Sequence, residues 1–299
     1  MMKWWTLLAL LGAWQVTGFC LFGAATDPEP LSPEGTAVAR MVSLAPNLTE
    51  ILFALGLDQE VVGVTLFSDY PPRARSKPKM GSFWSPNLEA IVASHPDLVV
   101  TLGFGRQVSM CQRLRRMNIR AYAFEIETVD QLIEAIGELG VLTGRSSQAR
   151  QLQEEMTRRL ALLKRASETA ERVSVLWVVQ RDPLRVAGRS SMTQELIERA
   201  GGINALGPTL HKYPPIGLEQ VLRSRPDVII EQSMAGFDRA IQLQQAKKHW
   251  ERFDQIPAVR DGRIYVIDGD SVSRLGPRIC AGIEAVARCL HGPVVVEGL

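Results

Sequence analysis

The chain contains 299 residues, of which 46 % are hydrophobic and 22 % are charged, so it is long enough for two packed domains of ordinary size. Its formal net charge is only +2 at pH 7, and no long run of Lys or Arg is present. This balance argues against a protein that captures nucleic acid by charge, and we expect no nucleic-acid partner.

Residues 1–25 have the pattern of a secretory signal peptide. Lys3 precedes the apolar stretch WWTLLALLGAW, and small residues follow at positions 23–25, so cleavage is expected after Ala25. Two alternatives remain open, which are lipidation at Cys20 and an uncleaved anchor beginning at Trp4. Each of the three places the body of the protein outside the cytoplasm.

Residues 26–37 are rich in Pro and acidic side chains without periodicity, which predicts a disordered tether. An N-terminal α/β lobe is then expected over residues 38–145. It begins with a strand at residues 41–45 and a helix opened by Asn47 and Glu50, which have the spacing of a capping pair. Strands and helices then alternate, which predicts a parallel sheet covered by helices. The further elements are strands at residues 61–65, 98–102 and 121–124 and helices at residues 88–94, 108–117 and 129–142.

A longer helix separates this lobe from a second one. Apolar residues recur at helical spacing over residues 147–171 without Gly or Pro, which predicts a connecting helix (residues 146–171) about 37 Å long. One rigid helix cannot hinge freely, so large closure on ligand binding is not expected. A C-terminal α/β lobe follows over residues 172–292, and residues 293–299 are expected to form a loose tail. The predicted elements of this second lobe are strands at residues 173–179 and 265–268 and helices at residues 192–200 and 277–290.

An internal repeat supports the division into two lobes. Residues 88–100 read LEAIVASHPDLVV and residues 218–230 read LEQVLRSRPDVII, with five of thirteen positions identical. Each copy predicts a helix, a Pro-Asp turn and a buried strand. The expected fold class is therefore α/β, with two Rossmann-like lobes that have parallel central sheets, one long rigid helix between them, and a ligand cleft where they meet.

The sequence carries none of the common catalytic or cofactor motifs. There is no Gly-x-Ser-x-Gly elbow, Walker loop, dinucleotide glycine motif or His-Glu-x-x-His, and the four His residues lack the spacing of metal ligands. We therefore expect no catalytic residue and no metal site. Three cysteines would remain after cleavage, and we interpret Cys111, Cys280 and Cys289 as buried small hydrophobes, since Cys280 and Cys289 lie about 13 Å apart on one helix.

Aromatic and polar side chains are concentrated in loops that follow predicted strands, where open parallel sheets bind ligands. Trp84 and Tyr213 stand at nearly equivalent places before the two repeated helices, so they could grip a flat ligand from both sides. A structural role is the alternative for several of these residues, such as packing of a turn or an ion pair between Asp270 and Arg274. The candidate ligand-binding residues are Tyr70, Trp84, Phe104, Tyr213, Asp270 and Arg274.

Glu89 and Glu219 occupy the second position of the two repeat copies. One interpretation is a favourable interaction of each carboxylate with its helix dipole, worth about 0.3 to 1 kcal/mol. The other is docking, because one acidic side chain on each lobe would suit a partner with two pseudo-symmetric basic pockets.

The chain resembles the substrate-binding proteins of bacterial ABC importers, in the branch that binds cobalamin, siderophores and haem, over residues 40–291. The segments that carry the resemblance are VSLAPNLTEILFALGL, SDYPP and NLEAIVASHPDLVV, with the C-terminal group Asp270, Arg274 and Pro277-Arg278. The resemblance implies that Glu89 and Glu219 engage arginines of a permease. The positions that it implies for the ligand pocket are Tyr70, Trp84, Tyr213, Asp270 and Arg274.

The sequence departs from a cobalamin-binding member of that family at Leu102 and Tyr213, where that protein carries Trp. We expect a protein that captures cobalamin or a related corrinoid in the cleft and delivers it to an ABC permease and its ATPase. The resemblance further implies a monomer in the periplasm or at the outer face of the cytoplasmic membrane, without a cofactor of its own. The alternatives are a haem- or iron-siderophore-binding protein of the same fold and, in another class, an enzyme that uses Asp270 as a base in the cleft.

Overall fold

The computed structural model describes residues 38–168, 170–234 and 236–292. The expected signal peptide, tether and C-terminal tail lie outside these residues. Within them the chain forms two α/β lobes, each built on its own sheet, as predicted. In the described part of the chain, no helix is both long and apolar enough to cross a membrane.

The N-terminal lobe, or N-lobe, contains four parallel strands. They are Met41–Ser43 (β1), Val61–Val64 (β2), Leu98–Leu102 (β3) and Arg120–Phe124 (β4), in the sheet order β2-β1-β3-β4. The helices that connect them are Pro46–Ala54 (α1), Leu88–Ala93 (α2) and Arg106–Arg116 (α3), with a 3-10 turn at Pro72–Ser76, and Val129–Leu142 (α4) follows β4. Helices cover the sheet, so the central strands are apolar on both faces, and Val42, Val99 and Val100 are fully buried.

The helix α4 has the predicted bounds, whereas the capping pair predicted for α1 is wrong. Thr128 and Gln131 form a capping box at the start of α4. In α1 the chain enters through Pro46, whose fixed φ suits the first helical position, and no side chain caps the helix. Asn47 and Glu50 are instead buried and contact the C-terminal lobe, which removes them from capping.

A 23-residue helix, Ser146–Glu168 (α5), connects the lobes, as predicted, although it ends before the predicted limit. At 1.5 Å per residue it is about 35 Å long. Its buried residues recur at helical spacing and pack toward α4 and the C-terminal lobe. They are Ala149, Met156, Leu160 and Leu163.

The C-terminal lobe, or C-lobe, contains five strands. They are Val173–Arg181 (β5), Leu184–Val186 (β6), Gly202–Asn204 (β7), Val228–Gln232 (β8) and Ile264–Ile267 (β9). The sheet order is β6-β5-β8-β9, with β7 also paired to β5; all pairs are parallel except β5 with β6. The helices are Met192–Arg199 (α6), Leu218–Ser224 (α7), Arg239–Trp250 (α8), Pro257–Arg260 (α9), Gly269–Ser273 (α10) and Ile279–His291 (α11).

The internal repeat forms the same unit in both lobes, since α2 with β3 and α7 with β8 are each a helix followed by a buried parallel strand. The Asp of each Pro-Asp turn explains part of the identity. Asp97 accepts hydrogen bonds from the backbone N–H groups of Ala39 and Arg40, at 3.0 and 2.9 Å. Asp227 accepts from the N–H of Ser174 at 2.9 Å. Each Asp therefore fixes the entry of the neighbouring strand.

The three described cysteines are free, and the absence of a Cys280–Cys289 disulfide is what their spacing predicted. Cys111 and Cys280 are buried, and Cys289 is half-buried. Burial raises the pKa of each thiol to about 11, because the thiolate would be poorly solvated. These thiols behave as small apolar groups rather than as nucleophiles.

Candidate functional site

A cavity of about 840 Å³ lies between the lobes, at the carboxyl ends of β3 and β4. This edge of a parallel sheet is where α/β proteins bind ligands, and the volume is within the usual range for small-molecule sites. On the N-lobe side its lining residues are Pro46, Asn47, Phe67, Phe83, Trp84, Leu102, Phe104, Ile126, Glu127 and Thr128. On the C-lobe side they are Arg189, Ser190, Ser191, Met192, Gln194, Glu195, Glu198, Lys212, Tyr213, Ser273, Arg274 and Leu275.

The N-lobe side carries an aromatic wall made of Phe67, Phe83, Trp84 and Phe104. Phe83 packs edge to face against two of these rings, with centroids 4.8 Å from that of Trp84 and 6.4 Å from that of Phe104. Trp84 nevertheless remains 75 % exposed, and Phe67 remains 62 % exposed. Such exposed rings at a cavity are suited to being covered by an apolar ligand.

The loop that carries Phe83 and Trp84 of the aromatic wall is fixed by hydrogen bonds. The buried Gln107 donates from Nε2 to the carbonyl oxygen of Phe83. Ser82 and Ser85 close a tight turn, in which Ser85 N–H donates to Ser82 Oγ at 3.0 Å. Gly81 enters this turn at φ +86°, where an added Cβ would also collide with the backbone of Ser85. The part of the aromatic wall made by Phe83 and Trp84 is therefore preformed.

The C-lobe side of the cavity is polar. Its loop from Gly188 leads into α6, and Ser191 caps that helix by accepting from the Gln194 N–H at 3.3 Å. Lys212 lies beside the same loop, because its carbonyl oxygen accepts from the Gly188 N–H at 2.8 Å. Across the cleft, Lys212 Nζ is 3.4 Å from a carboxylate oxygen of Glu127.

Arg274 occupies the boundary between the lobes and is largely buried. Its guanidinium lies 2.7 Å from Asp69 Oδ1 of the N-lobe and 2.9 Å from Asp270 Oδ1 of α10. Burial alone would raise the pKa of Asp69, but the hydrogen bond and charge of Arg274 outweigh it and lower that pKa. Arg274 is therefore held in place by two carboxylates at the edge of the cavity.

A second ion pair lies directly behind this one. Glu50 of α1 is almost completely buried and forms a two-point contact with Arg278, at 2.9 Å from Nε and 2.6 Å from Nη2. Burial raises the pKa of Glu50 above its usual value, although Arg278 and Arg274 act in the opposite direction. The guanidinium of Arg278 also stacks 4.0 Å from the ring centroid of Tyr70.

On the other side of the cleft, α6 contacts the start of α4. The carboxylate of Glu195 accepts from the Val129 N–H at 3.1 Å. Arg199 lies 2.8 Å from Glu195 and 2.8 Å from Asp130, so it bridges the two helices. The lobes are thus joined by polar contacts on both sides of the cavity as well as by α5, which restricts their relative movement.

The sequence profile of the periplasmic binding protein family matches residues 41–271. The chain belongs to this family. It is 26 % identical to the vitamin B12-binding protein of Vibrio parahaemolyticus over 84 % of this chain and 91 % of that one. Among solved structures, the periplasmic vitamin B12-binding protein of Vibrio cholerae superposes with a TM-score of 0.73 at 24 % identity, over 84 % of this chain and 96 % of that one. A periplasmic heme-binding protein from Roseiflexus sp. RS-1 superposes with a TM-score of 0.71 at 25 % identity, over 85 % and 98 %.

In this periplasmic binding protein, four of the six residues that the sequence suggested for ligand binding line one cavity, and they are Trp84, Phe104, Tyr213 and Arg274. Tyr70 and Asp270 are not among the lining residues. Tyr70 stacks on Arg278, and Asp270 pairs with Arg274. Both therefore support residues at the edge of the cleft, and a ligand contact for any of the six stays a prediction.

Several lining residues were not singled out by the sequence. Phe67 and Phe83 adjoin predicted site residues, so their position in strand-end loops was an available signal. Arg189 and Lys212 had no such signal, because they come from two loops that only the folded C-lobe brings together. Glu127 likewise reaches the cavity only because α4 begins at the cleft.

Glu89 and Glu219 lie in the first turns of α2 and α7, as the repeat predicted. Both are exposed, and neither forms an ion pair with another residue in the described ranges. This position is compatible with the helix-dipole interpretation and with docking. Within the same ranges, no group of three His, Cys, Asp or Glu side chains could hold a metal ion.

Proposed function

We propose that this protein binds a corrinoid, cobalamin or a close relative, in the cleft between its lobes and delivers it to an ABC importer. The observation that carries the proposal is the aromatic wall, in which the fixed loop of Phe83 and Trp84 leaves Trp84 75 % exposed at a cavity of about 840 Å³. The names of relatives such as the vitamin B12-binding protein of Vibrio parahaemolyticus support the choice of ligand.

The physical basis is the burial of flat apolar surface. A corrin ring laid against the aromatic wall would cover the exposed indole of Trp84 and the partly exposed rings of Phe104 and Tyr213. Covering about 150 Å² of one ring contributes about 4 kcal/mol at about 25 cal/mol per Å². Trp84 is already oriented by its loop and by Phe83, so its ordering on binding would cost little conformational entropy.

Delivery would take place outside the cytoplasm, in the periplasm or at the outer face of the cytoplasmic membrane. We propose that Glu89 and Glu219, one exposed carboxylate on each lobe, contact a permease that is powered by an ATPase, and that the protein acts as a monomer. The polar contacts that join the lobes support presentation of a nearly rigid surface to that partner.

We further propose that the protein is a carrier without catalytic residues or a cofactor of its own. Asp270, the base in an enzymatic alternative, is engaged by Arg274 at 2.9 Å and is not a cavity-lining residue. The lining carboxylate of Glu195 is similarly engaged by Arg199. Neither carboxylate is arranged as a free general base toward the cavity.

Haem is the second candidate ligand. It is favoured by Tyr213, whose phenol lies at the cavity and could coordinate iron, and by the likeness to the Roseiflexus heme-binding protein. Haem has the same flat shape as a corrin, so the aromatic wall does not discriminate between the two.

The double substitution Trp84→Ala with Tyr213→Ala tests the pocket assignment. We expect the affinity for cobalamin to fall at least 100-fold, which corresponds to about 2.7 kcal/mol, because two rings that would cover the ligand are removed. Isothermal titration calorimetry measures the affinity, and an unchanged melting temperature shows that the fold is intact.

A matched control is Phe237→Ala, which removes an exposed aromatic ring that does not line the cavity. It should leave the affinity unchanged. If the double variant bound cobalamin as tightly as the parent, the aromatic pocket would be wrong.

A further inference from the structure

We propose that Arg189 binds an anionic substituent of the ligand, a phosphate or a carboxylate, on the C-lobe side of the cleft. The inference rests on the proposed function, because it assigns a second recognition element to the same cavity. The aromatic wall would hold the flat macrocycle, and Arg189 would select macrocycles that carry an anionic arm.

The first support is the pairing of charges around the cavity. Of the lining cations, Arg274 is held by Asp69 and Asp270, and Lys212 is near Glu127. Arg189 alone among them has no carboxylate within 4.0 Å in the described part of the chain. An exposed guanidinium without a counter-charge at a ligand cavity is suited to a bidentate contact with an oxyanion.

The carboxylates that line the cavity also have partners. Glu195 is paired with Arg199 at 2.8 Å, and Glu127 is near Lys212. Glu198 accepts a hydrogen bond from Gln194 Nε2 at 2.6 Å. Two of the three lining carboxylates are therefore already compensated by a cation, and the third by an amide.

The second support is the way in which the side chain of Arg189 is fixed. Its Nε donates to the carbonyl oxygen of Leu206 at 2.8 Å, which leaves the terminal guanidinium nitrogens available. The preceding Gly188 packs so closely that an added Cβ would collide with Thr209 and with the His211 carbonyl. The loop is consequently held in one position, and the guanidinium is presented rather than free to move away.

The third support is the adjacent start of α6. Met192 and Thr193 are its first two residues, so their N–H groups have no partner within the helix. The lining residue Ser190 adds a hydroxyl group at the same place, whereas the hydroxyl of Ser191 already donates to the Gly188 carbonyl oxygen at 2.6 Å. Backbone N–H groups and the positive end of the helix dipole favour an anion beside Arg189.

Both candidate ligand classes satisfy this chemistry, though by different groups. Cobalamin carries a phosphodiester in its nucleotide loop, and haem carries two propionate carboxylates. The shared requirement is a flat macrocycle with an anionic arm long enough to reach the opposite wall.

The test compares, within each class, a member that carries the anionic group (the anionic member) with one that lacks it (the neutral member), by calorimetry. The probes are cyanocobalamin against dicyanocobinamide, which lacks the phosphodiester, and haem against its dimethyl ester. For the class that the parent protein binds, Arg189→Gln should weaken binding of the anionic member at least tenfold and of the neutral member less than twofold. Arg189→Lys should recover part of the lost affinity, since it keeps the positive charge but not the planar guanidinium that makes a two-point contact.

The matched control is Arg225→Gln. Arg225 is also exposed and has no ion pair among the described residues, but it precedes β8 and therefore lies at the sheet edge away from the cleft. It should not change the affinity for any probe.

The outcomes distinguish failure of the role of Arg189 from failure of the proposed function. Equal weakening of the anionic and neutral members by Arg189→Gln, or no weakening of either, overturns the role of Arg189 while the macrocycle pocket stands. Equal affinity of the parent protein for both members would also overturn the role of Arg189. Binding of none of the four probes by the parent overturns the proposed function, and the role of Arg189 with it.

Discussion

Trp84 and Arg189 line the same cavity, one with an apolar ring and the other with a cation. Trp84 exposes an indole that packs against Phe83, and Arg189 presents a cation whose one hydrogen bond to the described residues is made through Nε. A ligand that satisfies both must combine a flat apolar surface with an oxyanion. The two residues together restrict the ligand more than either does alone.

Asp69 gives a prediction at the scale of one residue. Its pKa is lowered in the folded protein by Arg274, so it contributes stability above the ordinary Asp pKa of 3.8, and the contribution is lost as the pH falls through the lowered value. Asp69→Asn should therefore cost about 1 kcal/mol of unfolding free energy at pH 7, a small figure because the side chain is partly exposed and screened.

Urea denaturation of the parent and of Asp69→Asn at pH 7, 5, 4 and 3 measures this difference. The gap between the two proteins should close toward the acid end, since every other carboxylate is common to both. A gap that stayed constant down to pH 3 would show that the charge of Asp69 is not responsible.

For Asn47 and Glu50, the sequence predicted side chains that form hydrogen bonds, but it predicted the wrong partners. Asn47 and Glu50 have the spacing of a helix cap, yet their partners are Leu275 and Arg278. Each partner lies 228 positions further along the chain. Local spacing contains no information about such a contact. The burial of Glu50, which raises its pKa, is likewise a property of the assembled lobes.

At the scale of elements, the internal repeat was the most informative pattern. It predicted α2 with β3 and α7 with β8, because a helix, a Pro-Asp turn and an aliphatic strand have distinct local signals. The helix α8 was missed, since its sequence RAIQLQQAKKHW is polar and places few apolar residues on one face. Its Trp250 is nevertheless fully buried and donates to Glu231 at 3.0 Å. Tertiary packing, not periodicity, stabilises that helix.

The first turns of α2 and α7 carry the docking prediction. Reversing both charges, with Glu89→Lys and Glu219→Lys, should leave ligand affinity unchanged, because neither carboxylate lines the inter-lobe cavity. Ligand uptake into vesicles that contain the partner importer should fall at least tenfold, since the basic surface of the importer would then be repelled.

Glu154→Lys serves as the control, because Glu154 is an exposed carboxylate on α5 without an ion pair in the described ranges. It should support normal uptake. Normal uptake by the doubly reversed variant would leave only the helix-dipole interpretation for Glu89 and Glu219.

At the scale of the whole molecule, the two lobes are joined by α5 and by polar contacts on either side of the cleft. Glu50 with Arg278 closes one side, and Arg199 with Asp130 closes the other. The sequence predicted the two lobes and the connecting helix, and the repeat related Trp84 to Tyr213, which line the same cavity. It could not predict the polar wall around Arg189 and Lys212, which arises only when two loops of the C-lobe pack together.

The central claim is that the cleft binds a corrinoid, and direct titration of the protein lacking residues 1–25 tests it. Cobalamin, haem and a ferric siderophore are each added separately, and calorimetry is combined with absorbance spectra. We expect saturable one-to-one binding of cobalamin at micromolar concentration or below, with weaker binding of the other two. Absence of cobalamin binding, with a shifted Soret band for haem or saturable binding of the siderophore, would contradict the corrinoid assignment.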